Sequence, residues 1–436
     1  MSEVVVVGGG LAGAEAAWQL ATRGIDVILY EMRPLVMTPA HRTGLCAELV
    51  CSNSFRAAGW ENAVGLLKEE MRRLGSLIMT AADATRVPAG GALAVDRTLF
   101  ARFVTERLAG HPRIRIERRE ITAVPAPPAV IATGPLTAGE FAAALRTKLG
   151  QDYLHFYDAA APIAYLESLD RKILFRASRY GKGDDGAYLN APFTREEYER
   201  FHRELLAADT RSGHLPDDAV FFEGCLPIEE IARRGQDTLR YGPLKPVGLT
   251  DPRSGRRPYA VVQLRQDNAA GSLYNLVGFQ TRLSHGEQVR VFRLIPGLQN
   301  VEFARYGGMH RNSYLNAPLL LHPTGETRGT EGLFFAGQLT GVEGYVESSC
   351  SGLIAGVNMA RRMQGQEPLS FPPETAHGAL MHYITSAAPA HFQPMNVNFG
   401  LFPPLPVQVR DKRQRYRALV ERALTALSAL KTCNNR

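Results

Sequence analysis

The chain has 436 residues, 45% of them hydrophobic, with 50 Lys and Arg against 43 Asp and Glu, for a formal net charge of +7. This length accommodates two or three domains around a sizeable core, and no apolar run approaches the roughly 20 residues with which a helix spans a bilayer; cysteine usage makes the cytoplasm the expected site of action. Five cysteines at irregular spacing, with no C-x-x-C or H-x-x-x-H, argue for reduced thiols and against a metal site, while the positive balance favours a polyanionic partner.

Residues 4–7 are four consecutive valines, the pattern of a strand buried on both faces. Gly8, Gly9, Gly10 and Gly13 follow, in a G-x-G-x-x-G turn. Residues 14–23 read as a helix, and 27–30 as a second strand ending at Glu31. Gly8 permits the tight turn, Gly10 lets the backbone approach a pyrophosphate, and Gly13 lets helix and strand pack closely. The helix N-terminus offers free N–H groups to phosphates. Glu31 stands eighteen residues after Gly13, where a carboxylate accepts hydrogen bonds from a ribose 2′-OH, and Arg33 joins it in the candidate cofactor-binding set. Strand, turn, helix, strand and terminal acid together predict dinucleotide binding. The unit starts within a few residues of Met1 and lacks a positively charged leader, so it is not read as a signal peptide.

Residues 32–60 are loop-rich and contain Cys46 and Cys51. Residues 61–75 carry helical periodicity through Val64, Leu67, Met71 and Leu74, and Asp96 is placed to cap a helix running through Leu108. Residues 113–121 alternate as a strand, and a further buried strand ends at Ala132, Thr133 and Gly134. From about 160 to 310 short Pro-punctuated strands and aromatic-rich segments replace long helical periodicity, which predicts an inserted α+β domain. Residues 333–336 then form a strand that meets a glycine-rich turn holding Gly337, Gln338, Gly344 and Tyr345, and the chain continues into a small-residue helix containing Gly352. Residues 389–406 are irregular and Pro-rich, and 409–430 close the chain as a basic amphipathic helix.

The opening fingerprint serves FAD and NAD alike. The block at 332–360 selects FAD, because a second glycine-rich strand-to-helix turn beside the first supplies N–H groups to the pyrophosphate, ribityl chain and flavin ring. The expected fold is α/β: a Rossmann-like FAD-binding domain of the two-dinucleotide-binding-domain flavoprotein type, interrupted by an inserted α+β domain. Its expected boundaries are 1–160, 161–310 and 311–436, with the flavin ring near Gly344, Tyr345 and the Cys51 loop.

Seven segments carry a family resemblance: CSNSFR (51–56), FFEGCLPIEEIARRG (221–235), TLRYGPLKPVGL (238–249), PYAVVQLRQDN (258–268), YNLVGFQTRL (274–283), RYGGMHRNSYLNAP (305–318) and FFAGQLTGVEGYVES (334–348). Over nearly its whole length the chain resembles the bacterial folate- and FAD-dependent tRNA (uracil-5-)-methyltransferases, relatives of a larger flavoprotein that modifies wobble uridine. At 436 residues it lacks room for the long helical C-terminal domain of that relative. The resemblance implies that 5,10-methylenetetrahydrofolate gives a one-carbon unit to C5 of the T-loop uridine, position 54 of tRNA, leaving tetrahydrofolate. Reduced FAD completes the methyl group, with NADPH or NADH as the electron source. A monomer is compatible with this chemistry; the oligomeric state is not legible.

C5 of uracil is too weak a nucleophile to take up a methylene unaided. The chemistry needs a thiolate to add at C6, a base for the C5 proton, a folate pocket and a reduced flavin. The resemblance makes Cys225 the nucleophile; its Gly224 and Pro227 neighbours suggest an exposed turn. Cys51 maps onto the family's second functional thiol, as the base for the C5 proton or a partner of the flavin adduct, and the two thiol roles are exchangeable on sequence alone. A thiolate needs a depressed pKa, and Arg56 or Arg42 is the expected source of positive field. Cys46, Cys350 and Cys433 are expected to be structural.

For folate, His285, Arg282 and the aromatic-rich run 274–281 supply an apolar slot and a cation, and Tyr345 is placed to stack on either ring system. Candidate tRNA contacts are Arg113, Arg115, Arg118 and Arg119, then Arg253, Arg256 and Arg257, and finally Arg410, Lys412, Arg413, Arg415 and Arg417. The target base is expected to leave its stack, as in other base-modifying enzymes. Two other readings compete: a small-molecule FAD oxidoreductase sharing only the nucleotide-binding fold, and a non-catalytic FAD-bearing RNA-binding protein.

Overall fold

A computed structural model describes residues 3–137, 139–181, 186–210 and 226–434. Its first unit is a five-stranded parallel sheet in the order Leu333–Phe335, Ala129–Ile131, Val4–Val7, Val27–Glu31 and Ile114–Arg118. The valine strand is central, as its double-sided hydrophobicity requires. The strand expected over 113–121 stops at Arg118, because Arg118 pairs with Glu31, where the neighbouring strand ends.

The Leu11–Ala21 helix follows the glycine turn and packs on the Tyr345–Met363 helix. The contact is close because both helices are small-sided there. A Cβ on Gly352 would lie 2.2 Å from the Ala12 carbonyl oxygen, and one on Gly356 2.6 Å from that of Ala16. At the turn itself Gly8 has φ +102°, and a Cβ on Gly13 would fall 1.8 Å from the Gly8 carbonyl oxygen. Residues from positions 4 to 31 and from 333 to 363 thus build one layered core around the same sheet.

A two-stranded ribbon, Leu154–Ala160 against Gly308–Tyr314, carries the chain out of this unit and back, with Ala160 opposite Gly308. Between the two ribbon strands lies a six-stranded antiparallel sheet with its own buried cluster, in which Phe193, Phe201, Phe279 and Phe292 are prominent. Where the sequence shows little long helical periodicity, the structure has a 12-residue helix, Arg195–Leu206. Thr194 and Glu197 form a capping box at its start, and Tyr198, Phe201, His202 and Leu205 form its buried stripe. That spacing was present in the sequence.

Asp96 caps the Arg97–Ala109 helix as expected, its side chain accepting from the amides of Thr98 and Leu99. The last helix, Lys412–Asn434, is tied to the Pro-rich segment before it: the Tyr416 and Phe399 rings lie 4.4 Å apart, and Arg422 donates to the carbonyls of Pro403 and Pro404. Among the described residues no helix is long and apolar enough to cross a membrane.

Candidate active site

Two cavities open in the structure, one at the parallel sheet and one at the ribbon, and Pro39 lines both. The first, of about 400 Å³, lies at the carboxyl ends of the central strands and is walled by Gly8, Gly10, Glu31, Arg33, Thr133, Gly134, Gly337, Gln338 and Tyr345. A Cβ on Gly10 would meet nothing within 4 Å, so this backbone faces open space, as an approaching pyrophosphate needs. Gly337 and Gly344 hold φ values of +83° and +109° that bend the second glycine-rich turn into its helix. Gly9 stands behind the wall, donating its amide to Glu31 Oε2 at 2.9 Å. Gly352, grouped with the cofactor residues on sequence, is corrected to a packing position: it is buried against Ala12 and does not line the cavity.

The carboxylate of Glu31 is fully engaged. Oε1 accepts from the Arg33 amide and Nε, and Oε2 from Gly9 and Arg33 Nη2, all at 2.9 Å. Burial alone would raise its pKa; the hydrogen bonds and charge of Arg33 outweigh this and hold it below the usual carboxylate range. A ribose hydroxyl reaching Glu31 therefore shares or displaces one of these donors.

Cys51 lines neither cavity but contacts residues on or beside the walls of both. Its amide donates to the hydroxyl of Tyr345, which lines the first cavity, at 2.7 Å, and its Sγ lies 3.7 Å from the carbonyl of Ala159, next to Ala160 on the wall of the second. Polar side chains from both units hold this loop. Arg97 donates to the carbonyls of Leu49 (2.7 Å) and Cys51 (3.2 Å) while pairing with Asp267 at 2.9 Å. Arg265 reaches Asn53 Oδ1 at 3.0 Å and Ser52 Oγ at 2.8 Å. Downstream, the buried ammonium of Lys68 donates to the carbonyls of Phe55 and Ala57. None of Arg97, Arg265 and Lys68 was given a role at this loop from the sequence, which gives no local sign of contacts made across the fold.

The expected electrostatics are corrected in two respects. Burial first, then Asp158, pushes the Cys51 thiol up to about 12, so it rests protonated at neutral pH. The cations that oppose this rise are Arg97 and Arg305, not Arg56 or Arg42. Arg56 is bound to the buried Glu347, and Arg42 is exposed on the wall of the second cavity. Cys46 and Cys350 are buried, and both thiols are raised mainly by burial.

The second cavity, of about 770 Å³, is walled by Arg42, Tyr157, Ala160, Arg282, His285 and residues 303–311. It brings together Arg282 and His285, the two folate candidates from this part of the chain. Their states differ from a free cation and a free ring: Arg282 is bound to Glu230, and His285 stacks on Tyr306 with ring centres 4.3 Å apart. Tyr345 lines only the first of the two cavities, and its hydroxyl is taken by the Cys51 and Ser52 amides. Cys225 lies outside the described residues. The chain on either side of that stretch is anchored near the second cavity: Thr210 bridges to the cavity residue Leu283, and the Ile228 amide donates to the Gln280 carbonyl at 2.7 Å.

Of the candidate RNA-facing arginines, the first cluster is occupied internally. Arg113 pairs with Asp26, Arg115 with Glu117, Arg118 donates to the Arg33 carbonyl, and Arg119 lies over Tyr30. Arg253 pairs with Asp251. Arg256 and Arg257, with Arg410, Lys412, Arg413, Arg415 and Arg417, are exposed.

A parallel sheet with a glycine-rich cavity at its carboxyl edge, a returning second glycine turn and an antiparallel insert define a Rossmann-type α/β protein of flavoprotein architecture. The family model described as Glucose inhibited division protein A matches residues 3–367. The methylenetetrahydrofolate–tRNA-(uracil-5-)-methyltransferase TrmFO of Desulforudis audaxviator is 64% identical over 428 residues, covering 98% of this chain and 97% of that protein. The protein of the same name from Pelotomaculum thermopropionicum is 62% identical over 429 residues, covering 98% of each. Among solved structures, Aquifex aeolicus GidA in its form II crystal superposes with a TM-score of 0.71 at 18% identity, covering 98% of this chain and 73% of that one, a likeness of fold. The chain belongs to the GidA family and, within it, to the TrmFO methylenetetrahydrofolate–tRNA-(uracil-5-)-methyltransferases.

Proposed function

We propose that the protein binds FAD in the first cavity and methylates C5 of the T-loop uridine at position 54 of cytoplasmic tRNA, with 5,10-methylenetetrahydrofolate as one-carbon donor and NADPH or NADH as electron source. The observation that carries this reading is the position of Cys51, bonded to Tyr345 on the wall of a glycine-lined nucleotide cavity and facing the carbonyl of Ala159, whose neighbour Ala160 lines a larger cavity with cations and aromatic rings. Residues 1–160 and 311–436 form the cofactor unit in this reading, and 161–310 supply most of the substrate wall.

Gly8, Gly10, Gly337 and Gln338 border the space for the cofactor, with the Leu11–Ala21 helix N-terminus toward its phosphates. FAD, when bound, supplies the hydride that turns a methylene on C5 into a methyl group. His285 and Tyr306 offer a stacked apolar wall to a pterin or a uracil. Cys225 adds to C6 of uracil, making C5 nucleophilic. For Cys51 to take the C5 proton it must first lose its own, and Arg97 and Arg305 are the cations that favour its thiolate.

The test is transfer of isotope from [methylene-¹⁴C]methylenetetrahydrofolate to unmodified tRNA by flavin-loaded protein with NADPH or NADH. Labelled 5-methyluridine at T-loop position 54 is the expected product. Reduced-flavin turnover with no label in tRNA points instead to a small-molecule oxidoreductase.

A further inference from the structure

Arg305 ends the edge strand Phe303–Arg305, which pairs with Ile163–Tyr165 through a register shift: Phe303 stands opposite Ala164 and Arg305 opposite Ile163. Such bulges re-aim a side chain and recur beside active sites. Here Arg305 lines the second cavity, on the same wall as Ala160. The backbone that follows is held rigidly. The buried Gln288 side chain bonds both the amide (2.8 Å) and the carbonyl (3.1 Å) of Gly307, and a Cβ on Gly307 would lie 2.8 Å from the Ala160 carbonyl oxygen. The next carbonyl back, that of Ala159, is the one facing the Cys51 thiol.

Among the described residues the guanidinium of Arg305 makes no ion pair and no side-chain hydrogen bond, although it is half-buried. Of the other guanidiniums here, Arg97 is engaged with Asp267, Arg265 with Asn53 and Ser52, and Arg282 with Glu230; Arg42 and Arg311, which also line the cavity, make no side-chain ion pair among the described residues but are exposed, whereas Arg305 is half-buried. A half-buried cation without a partner is costly. It fits a place whose anionic partner arrives with the ligand.

We propose that Arg305 is a catalytic residue that binds O4 of the target uracil and stabilises the enolate formed on it. This rests on the methylation reading above. When a thiolate adds to C6, the S–C6 bond forms, the C5=C6 π pair moves to C4–C5, and the C4=O4 π pair becomes a lone pair on O4. Arg305 stays protonated throughout and donates N–H bonds to that oxygen. Collapse of the enolate returns the pair through C5, either to the electrophilic carbon from folate or to a proton. A preorganised donor at a developing oxyanion contributes roughly 10²–10³ in rate. The same chemistry could be asked of a folate glutamate carboxylate; the position beside Cys51 favours the uracil oxygen.

The experiment compares flavin-loaded wild type with Arg305→Gln and Arg305→Lys, using tRNA tritiated at C5 of the T-loop uridine. Tritium release without folate reports enolate formation, and single-turnover carbon transfer at saturating folate reports the full reaction. Arg305→Gln is expected to lower both by about 100-fold, with flavin absorbance, melting temperature and the KM for methylenetetrahydrofolate unchanged; Arg305→Lys, which keeps the charge, recovers part of the loss. An unchanged transfer rate in Arg305→Gln overturns the proposal. So does a raised folate KM with normal tritium release, which assigns Arg305 to the folate carboxylate. If Arg305→Gln does not fold, Arg305→Lys decides: wild-type rates at saturating folate overturn the proposal, and a slowed release with a normal folate KM supports it. Wild-type protein that neither releases tritium nor transfers carbon refutes the methylation reading itself, a different outcome.

Discussion

The hydroxyl of Tyr345 accepts hydrogen bonds from the backbone amide of Cys51, 294 positions away in the chain, and from that of Ser52. One oxygen at the start of the Tyr345–Met363 helix thereby sets the height of the thiol-bearing loop against the glycine cavity. Tyr345→Phe leaves both amides without their acceptor, which costs about 1–3 kcal/mol. The expected result is a lower melting temperature with flavin retained, and carbon transfer reduced by roughly tenfold or more as the loop loosens. Thermal unfolding and single-turnover assays on the same preparation check both halves.

Two glycines distinguish packing from cofactor approach. Gly352→Ala drives a methyl group toward the Ala12 carbonyl oxygen, 2.2 Å from the new Cβ, and overpacking of this kind costs about 1–3 kcal/mol. Its effect is expected in melting temperature. Gly10→Ala meets no protein atom, so stability should hold while flavin retention drops, because the added methyl occupies the pyrophosphate approach. Flavin absorbance per chain, read beside the melting curve, separates the two.

The thiol of Cys51, pushed up to about 12 by burial and Asp158, predicts a distinctive alkylation profile. Only the thiolate reacts, so modification of the Cys51 peptide by iodoacetamide should rise about tenfold per pH unit from 7 to 10 without levelling off. Arg97→Gln removes an opposing cation and should slow the reaction at every pH in that range. Peptide mass spectrometry reads both; a plateau near pH 8 contradicts the assignment.

Burial lowers the Lys68 ammonium to about 7, with Arg56 and Arg72 adding to the effect. The unfolded chain keeps its lysine protonated up to about pH 10.4. Between pH 7 and 10 the unfolded state therefore binds more protons at this site, and its contribution to stability rises with pH across that window. Lys68→Met should flatten the rise. It should also lower stability overall by leaving the Phe55 and Ala57 carbonyls without their donor. Denaturant unfolding at pH 7, 8.5 and 10 measures both effects.

What was legible in the sequence was local. The valine strand, the glycine turn, Glu31 and the Asp96 cap each depend on residues a few positions apart, and periodicity and turn chemistry read such features directly. The second glycine turn was legible for the same reason. The supports of Cys51 were not, because Arg97 reaches it from 46 positions away and Arg265 reaches Ser52 from 213. Arg56 was a reasonable source of positive field from its nearness in sequence, yet it holds a positive φ and turns to Glu347. Arg282 lies in the wall of the second cavity with its charge already met by Glu230. Residue type and spacing do not reveal which partner a long side chain finds.

The most direct measurement of the central claim is single-turnover transfer of labelled methylene carbon to tRNA by Cys51→Ala holoenzyme beside wild type. A catalytic thiol behind the walls of the two cavities predicts that the variant keeps its flavin and its affinity for tRNA but transfers carbon at least about 100-fold more slowly. Transfer at the wild-type rate by a flavin-loaded Cys51→Ala protein would contradict it.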